Sequence, residues 1–397
     1  MPLTIRQYLA DAHLRREEID RFFDGEGNWA RFDAELGYLL RSSMVRDGED
    51  GCWTISTYAE SGERRMGAFA DRPCRINTYG DSFTQCHQVS DGETWQERLA
   101  AHFGEPIRNF GIGGFGVWQA YRRLLRHEQS DTSAPYLVLN LYDDDHYRSI
   151  DAWRLLRIQD FRRYMRDRAQ YYFHANPWTH LRLGTNGRFQ EMPNPYPSRE
   201  ALYRLCDPEH VYEVFSKDII MNLEMAKRGG EHDRALVAEV ADALGVRFRS
   251  SDPATAARVH TVYALRSSQY IVENLLAWAV REGRKVLLML SYGFDLIDSA
   301  CRGRPRFDSS LVVWLREHTI PFVDAWEAHT ADFRSMRVPV EAYLRRYYIG
   351  GNGHYNPKGN LFFAATAKRA LLDWVDPKPI TYRGEGASAA ELAALLT

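Results

Sequence analysis

Ser82 stands in Gly80-Asp81-Ser82-Phe83-Thr84, directly after the apolar run Arg75-Ile76-Asn77-Thr78-Tyr79. Far downstream, His354 stands in Gly353-His354-Tyr355-Asn356-Pro357, at the entrance of a long apolar helix. A serine hydroxyl is a poor nucleophile near neutral pH and needs a base within hydrogen-bond reach. His354 is the best base in the chain for that task, and the pair suits acyl transfer. Such a histidine is usually oriented by an acid, yet no Asp or Glu lies between Tyr347 and His354, and Asn352 occupies the place. An amide oxygen accepts the ring N–H without supplying charge, as in Cys-His-Asn proteases. Asn352 is therefore the expected third catalytic residue, with Asp324, Asp144 and Asp145 as alternatives reaching His354 from other strands.

These residues need a frame that presents them together. Residues 75–79, 107–110, 136–142, 286–290 and 322–324 read as strands, and 94–103, 117–127, 270–282, 309–318 and 357–374 as helices. In the first helix Trp95, Leu99 and Phe103 fall on one face, and Asp91 and Thr94 are start signals. Strands alternating with helices predict an α/β fold: a three-layer α/β/α sandwich around a mostly parallel five-stranded sheet of the doubly wound, flavodoxin-like kind. Ligands of such sheets sit beyond the carboxyl ends of the strands. Ser82, the Gly113-Gly114 turn, Asp143-Asp144-Asp145-His146 and Ser291 each follow a predicted strand and would gather along that edge.

The α/β pattern is discontinuous, covering 71–148 and 270–378. Residues 1–70 form an N-terminal segment packed on the core, and 379–397 an Ala-rich tail. Residues 149–269 differ in texture, with a hairpin signal at Asn186-Gly187, and form a mixed α/β insertion. It is read either as a lid over the functional edge or as an extension that thickens the core or makes an oligomer contact. Its arginines, from Arg154 to Arg168, read as a solvated helix face, or as a grip for an anionic or sugar-bearing ligand.

Composition narrows the partners. With 51 basic and 53 acidic residues among 397, the chain has no electrostatic footprint for nucleic acid or an anionic membrane. A small-molecule or carbohydrate ester suits it better, and nothing here sets the oligomeric state. The five cysteines are scattered without a C-x-x-C pair, so neither a disulfide framework nor a zinc site is expected. Charges from Asp11 to Glu18 interrupt any signal-peptide core, and every apolar run falls short of the ~20 residues of a membrane span. The expectation is a cytoplasmic protein without cofactor. A metal site at Asp143–His146 is disfavoured because neighbours on an extended segment point to opposite faces.

The motifs meet in the order of a known family. Gly80-Asp81-Ser82-Phe83-Thr84 resembles the first block of the SGNH/GDSL hydrolases, in particular a bacterial subgroup reading GDSFT. Asn109-Phe110-Gly111-Ile112-Gly113-Gly114 resembles the second block, and His354-Tyr355-Asn356-Pro357-Lys358-Gly359 the last. The resemblance spans residues 72–147 and 285–374, with a softer likeness at Gly62-Glu63-Arg64-Arg65. It implies Ser82 as nucleophile, His354 as base, and the amides of Ser82 and Gly114, or of Gly113 beside it, as oxyanion donors. Two blocks depart from the pattern: Gly351 and Asn352 replace the acid before the histidine, and Asp144-Asp145-His146 replaces an Asn-Asp pair. Asp145 aligns with the oxyanion-holding asparagine, a task that a carboxylate performs only when protonated. The resemblance implies a serine esterase acting through an acyl-enzyme. An O-acyltransferase and a catalytically silent SGNH-like binding protein are the alternatives.

Overall fold

A computed structural model of the chain describes residues 2–25, 29–158, 160–167, 169–184, 186–350 and 353–383. Its centre is a five-stranded sheet made of β1 (Ile76–Tyr79), β2 (Ile107–Asn109), β3 (Tyr136–Tyr142), β4 (Lys285–Ser291) and β5 (Phe322–Asp324). The order across the sheet is β5-β4-β3-β1-β2, and every pairing is parallel. Strands β3 and β4 are buried almost throughout, which is why both read as apolar runs rather than as alternating patterns. Helices complete a three-layer α/β/α sandwich. The strand order reverses between β1 and β3, the switch point where an open α/β sheet leaves a crevice. Ser82 lies just past the end of β1.

Local signals set the helix ends. Thr94 accepts from the Glu97 N–H to start Trp95–Phe103, and Gly104, at φ 67°, closes it. Asn356 accepts from the Gly359 N–H at 2.9 Å, with Pro357 in the first turn of Pro357–Trp374. The largest departure from expectation is the helix before β4, which runs Pro253–Arg281 rather than from residue 270. Its start signal is Asp252-Pro253: the Asp252 carboxylate accepts from the Ala254 N–H at 3.0 Å. Among the described residues no helix is long and apolar enough to cross a membrane.

Contacts divide the chain into two compact units. One comprises Met1–Arg41, Gly116–Arg122 and Asp144–Asn274. It contains the hairpin His180–Leu183 with Phe189–Met192, turning through Gly187 at φ 73°. In its arginine-rich segment Arg163 is exposed, as a solvated face requires, and Arg154 is buried, while Arg148, Arg157 and Arg162 pair with carboxylates inside the unit. Arg157 pairs with Asp144 at 2.7 Å and Asp151 at 3.0 Å, Arg148 with Asp144 and Asp145 at 2.9 and 2.8 Å, and Arg162 with Glu18 at 2.6 Å.

The other unit, Ser42–Phe115, Arg123–Asp143 and Leu275–Thr397, holds the whole sheet. One buried cation organises its functional edge. Arg64, only 2% exposed, donates from Nε to Asp91 at 2.6 Å and from Nη1 to the carbonyls of Gln85 (2.6 Å) and Cys86 (2.9 Å). Its Nη2 serves the carbonyls of Ile55 (3.2 Å) and Val89 (2.5 Å). The loop it gathers is bent: Cys86 and Gln88 have φ of 60° and 71°, a left-handed conformation that costs non-glycine residues on the order of 1–3 kcal/mol each. Replacing Arg64 by methionine would keep the volume but take the guanidinium donor from four carbonyls and from Asp91, which keeps only its bonds from Thr57. Arg64→Met is expected to destabilise this unit by about 3–5 kcal/mol, read as a lower urea midpoint, with earlier proteolytic cleavage in 85–91.

Candidate active site

The turn from β1 into the short helix Ser82–Gln85 is fixed by a sterically constrained glycine and by side-chain hydrogen bonds. Gly80 has φ 152°, and a Cβ there would lie 2.2 Å from Thr84 Oγ1 and 3.0 Å from the Asn140 carbonyl oxygen. Asp81 caps the helix by accepting from the Phe83 N–H at 2.9 Å. The carbonyls of Phe83 and Thr84 accept from the Trp95 indole (3.1 Å) and the Gln96 amide (2.9 Å). Ser82 is thereby held, 7% exposed, at the edge of the sheet.

His354 arrives by a different route. Residues 347–349 and 354–356 pair as a small antiparallel ladder, through Ile349 N–H to the His354 carbonyl and Asn356 N–H to the Tyr347 carbonyl, each 2.9 Å. Gly353 is compulsory in this turn, since a Cβ would fall 1.7 Å from the Ile349 carbonyl oxygen. The imidazole rests against Phe83, with ring centroids 5.3 Å apart. Its Nε2 lies 2.8 Å from Ser82 Oγ. The hydroxyl has a second acceptor in Asp81 Oδ2 at 3.1 Å.

The outer nitrogen meets an amide. His354 Nδ1 lies 2.8 Å from Gln88 Oε1, and the His354 backbone N–H donates to the same oxygen at 3.0 Å. Gln88 Nε2 donates to the Asp47 carbonyl at 2.9 Å. Beside it His87 packs edge-on against His354, with centroids 5.0 Å apart, and its Nε2 lies 3.3 Å from the Asp47 carboxylate. Burial pushes the His87 imidazole down, against the upward pull of Asp47.

No family model and no curated protein matches the chain. Among solved structures, it is similar to the crystal structure of a member of the lipolytic protein G-D-S-L family from Veillonella parvula DSM 2008. The identity is 13% and the TM-score 0.36, over 75% of this chain and 97% of that one.

The expected residues are distributed unevenly. Ser82 and His354 are hydrogen-bonded to each other, whereas Asn352 lies outside the described residues. Asp324 does not contact the His354 Nδ1 edge. It caps the following helix through the Trp326 N–H at 3.0 Å and pairs with Arg306 at 2.6 Å. Asp144 and Asp145 belong to the other unit, where arginines hold both. Burial alone would raise the Asp144 carboxyl, but Arg157 and Arg148 overcome it and keep the group well below the usual carboxylate range. Arg148 also donates to Asp145 at 2.8 Å. Gly113 donates its N–H to Gln85 Oε1 at 2.8 Å. Gly114 takes φ 85° at the third position of the turn closed by Phe115 N–H to the Ile112 carbonyl, 3.1 Å. That turn touches the serine: a Cβ on Gly113 would sit 3.6 Å from Ser82 Cβ.

Several participants carry no motif. Gln88, His87 and Asp47 come together only through the loop that Arg64 gathers. Asn140, fully buried on β3, donates to Ser291 Oγ at 2.9 Å and toward Asp81 at 3.4 Å, tying two strand ends to the residue before the nucleophile. A polar residue inside the apolar run 136–142 was the one available signal.

Behind His354 lies a tyrosine–histidine cluster. The Tyr343 hydroxyl donates to the His329 carbonyl at 3.0 Å and so accepts from His329 Nδ1–H at 2.8 Å. His329 Nε2 then accepts from the hydroxyl of Tyr355, the neighbour of His354, at 2.8 Å. Burial pushes the His329 imidazole down to about 3, against about 6.5 when unfolded. Because the folded pKa is depressed, the stability from a neutral His329 is complete above the unfolded pKa and is lost as pH falls toward 3. The loss is about 1.4 kcal/mol per pH unit. His329→Gln is therefore expected to reduce the drop in unfolding free energy between pH 7.5 and pH 5 by about 2 kcal/mol relative to the parent. Urea titrations at the two pH values check this, and equal drops in both proteins would refute it.

Proposed function

We propose that the chain is a serine-dependent acyl-ester hydrolase of SGNH type. The observation that carries this reading is the 2.8 Å contact between Ser82 Oγ and His354 Nε2, at the switch-point edge of a doubly wound sheet. The GDSFT-like block around Ser82 and the His-Tyr-Asn-Pro block around His354 support it from the sequence side.

In this reading Ser82 Oγ attacks the ester carbonyl as its proton passes to His354 Nε2. The carbonyl oxygen becomes an oxyanion facing the amides of Ser82 and Gly114. Donors set in place before the reaction stabilise that charge without reorganising, and losing one typically costs about 2.7–4 kcal/mol in barrier height. The tetrahedral species collapses, the C–O bond to the alcohol breaks, and the alcohol leaves with the proton from His354. Water then attacks the acyl-serine, again giving a proton to His354 Nε2. The second tetrahedral species expels Ser82, which recovers its proton, and the carboxylic acid departs. The substrate in this reading is a small acyl ester of a carbohydrate or metabolite.

The experiment is labelling of the full chain with a fluorophosphonate, alongside hydrolysis of a short-chain activated ester. A covalent adduct on Ser82 is expected. Ser82→Ala should lose both the adduct and turnover while keeping the parent's unfolding midpoint. Turnover that survives in Ser82→Ala, or folded parent protein that takes no label, would overturn the reading.

A further inference from the structure

We infer that Gln88 takes the place of the triad acid as a positioning residue, fixing His354 in its basic tautomer through a neutral amide. This rests on the Ser82–His354 reading above.

Three hydrogen bonds define which way the Gln88 amide faces. The His354 backbone N–H can only donate, so the atom 3.0 Å from it must be the amide oxygen. At the other end the Asp47 carbonyl can only accept, so the atom 2.9 Å from it must be the NH2 group. Reversing the amide would set two donors together at one end and two acceptors at the other. With Oε1 facing the ring, the Nδ1 contact at 2.8 Å requires a proton on Nδ1, because two lone pairs repel. A neutral imidazole carries one N–H. Nε2 is therefore bare and accepts from Ser82 Oγ, which is the geometry of a general base.

The backbone supports the same assignment. Gln88 adopts φ 71°, and the Arg64 guanidinium binds the carbonyls of Gln85, Cys86 and Val89 on both sides of it. Left-handed non-glycine residues persist where surroundings over-determine them, and they cluster at functional sites. Here the unusual conformation places a side chain on the outer nitrogen of the candidate base.

Neutrality has a chemical consequence. When the Ser82 proton passes to Nε2, the Nδ1 proton stays on Nδ1 and the ring becomes an imidazolium. A carboxylate at Nδ1 would stabilise that cation by charge; an amide offers only its dipole. Among the described residues the ionisable groups near the ring include Asp81 beside Ser82, His87 with Asp47, the Arg64 guanidinium behind the loop, the Tyr355 phenol next in sequence, and Glu49, which accepts from Asn356 at 3.0 Å. The group hydrogen-bonded to Nδ1 at 2.8 Å is the neutral Gln88 amide. A carboxylate at position 88 would therefore raise the basicity of His354.

The test uses the full chain as parent, Gln88→Ala and Gln88→Glu. The ¹⁵N resonances of His354, assigned by their loss in His354→Gln, report the tautomer without any substrate. The pH profile of fluorophosphonate labelling reports the base. The parent is expected to show the Nδ1–H tautomer. Gln88→Ala should lose that bias and label about 100-fold more slowly, and Gln88→Glu should move the acid limb of labelling to higher pH. A parent in the Nε2–H form, a Gln88→Ala protein that labels at the parent rate, or an unmoved acid limb in Gln88→Glu would each overturn the inference. Should Gln88→Ala fail to fold, the parent tautomer and the Gln88→Glu profile still decide. An unlabelled parent would instead remove the acyl-transfer reading, leaving the tautomer and its response to Gln88→Ala to judge Gln88.

Discussion

The functional edge depends on one buried guanidinium. Residues 85–91 turn sharply enough that three of their carbonyls point inward, where water cannot reach them and no strand offers an N–H. Unpaired carbonyls in such a place cost on the order of 1–3 kcal/mol each. Arg64 answers this with a planar fork of donors, reaching the carbonyls of Gln85, Cys86, Val89 and Ile55 together with the Asp91 carboxylate. Lysine could not do the same, since a compact ammonium lacks the fixed fork geometry. Because the loop is held this way, Cys86 and Gln88 can occupy left-handed conformations, and the Gln88 amide can stand at His354.

Around Ser82, hydrogen bonds rather than charge do the arranging. Among the described residues Asp81 is the carboxylate bonded to Ser82 Oγ, and it is shared with the Phe83 N–H and Asn140. The His354 ring is bounded by Phe83 on one side, by His87 edge-on, and by amide oxygen at Nδ1. Its backbone is registered by the ladder at 347–349, and its neighbour Tyr355 is anchored to the neutral His329. The base is thus located by directional contacts from three separate stretches of chain. Each is short, and each gains its geometry from a packed partner rather than from its own propensity.

Much of this frame was legible in the sequence. Strands β3 and β5 and the helices 117–127 and 357–374 fall where apolar periodicity, caps and Pro-first turns put them, because those signals act within a few residues. The expectation for the long helix before β4 covers only its second half. Its first half also carries a helical signal, with Ala256, Val259 and Tyr263 at helical spacing and buried, and Asp252-Pro253 marking its start. The arginine-rich segment was legible only in part: Arg163 is exposed as charge density suggested, while Arg157 and Arg162 find partners in Asp144, Asp151 and the distant Glu18.

From sequence alone came the serine, the histidine, the sheet that would bring strand ends to one edge, and the absence of an acid before the histidine. These are local facts of residue type, order and spacing. What stands at the outer nitrogen of His354 was decided by tertiary structure. Gln88 lies in no motif, and its role at that nitrogen follows from a carbonyl at Asp47, an N–H at His354 and a guanidinium at Arg64, none of them near it in a pattern a reader could scan. A side chain's type states what it can bond. Only the fold states which donors and acceptors converge on it, and at the Gln88 amide those opposed partners determine which end faces the base.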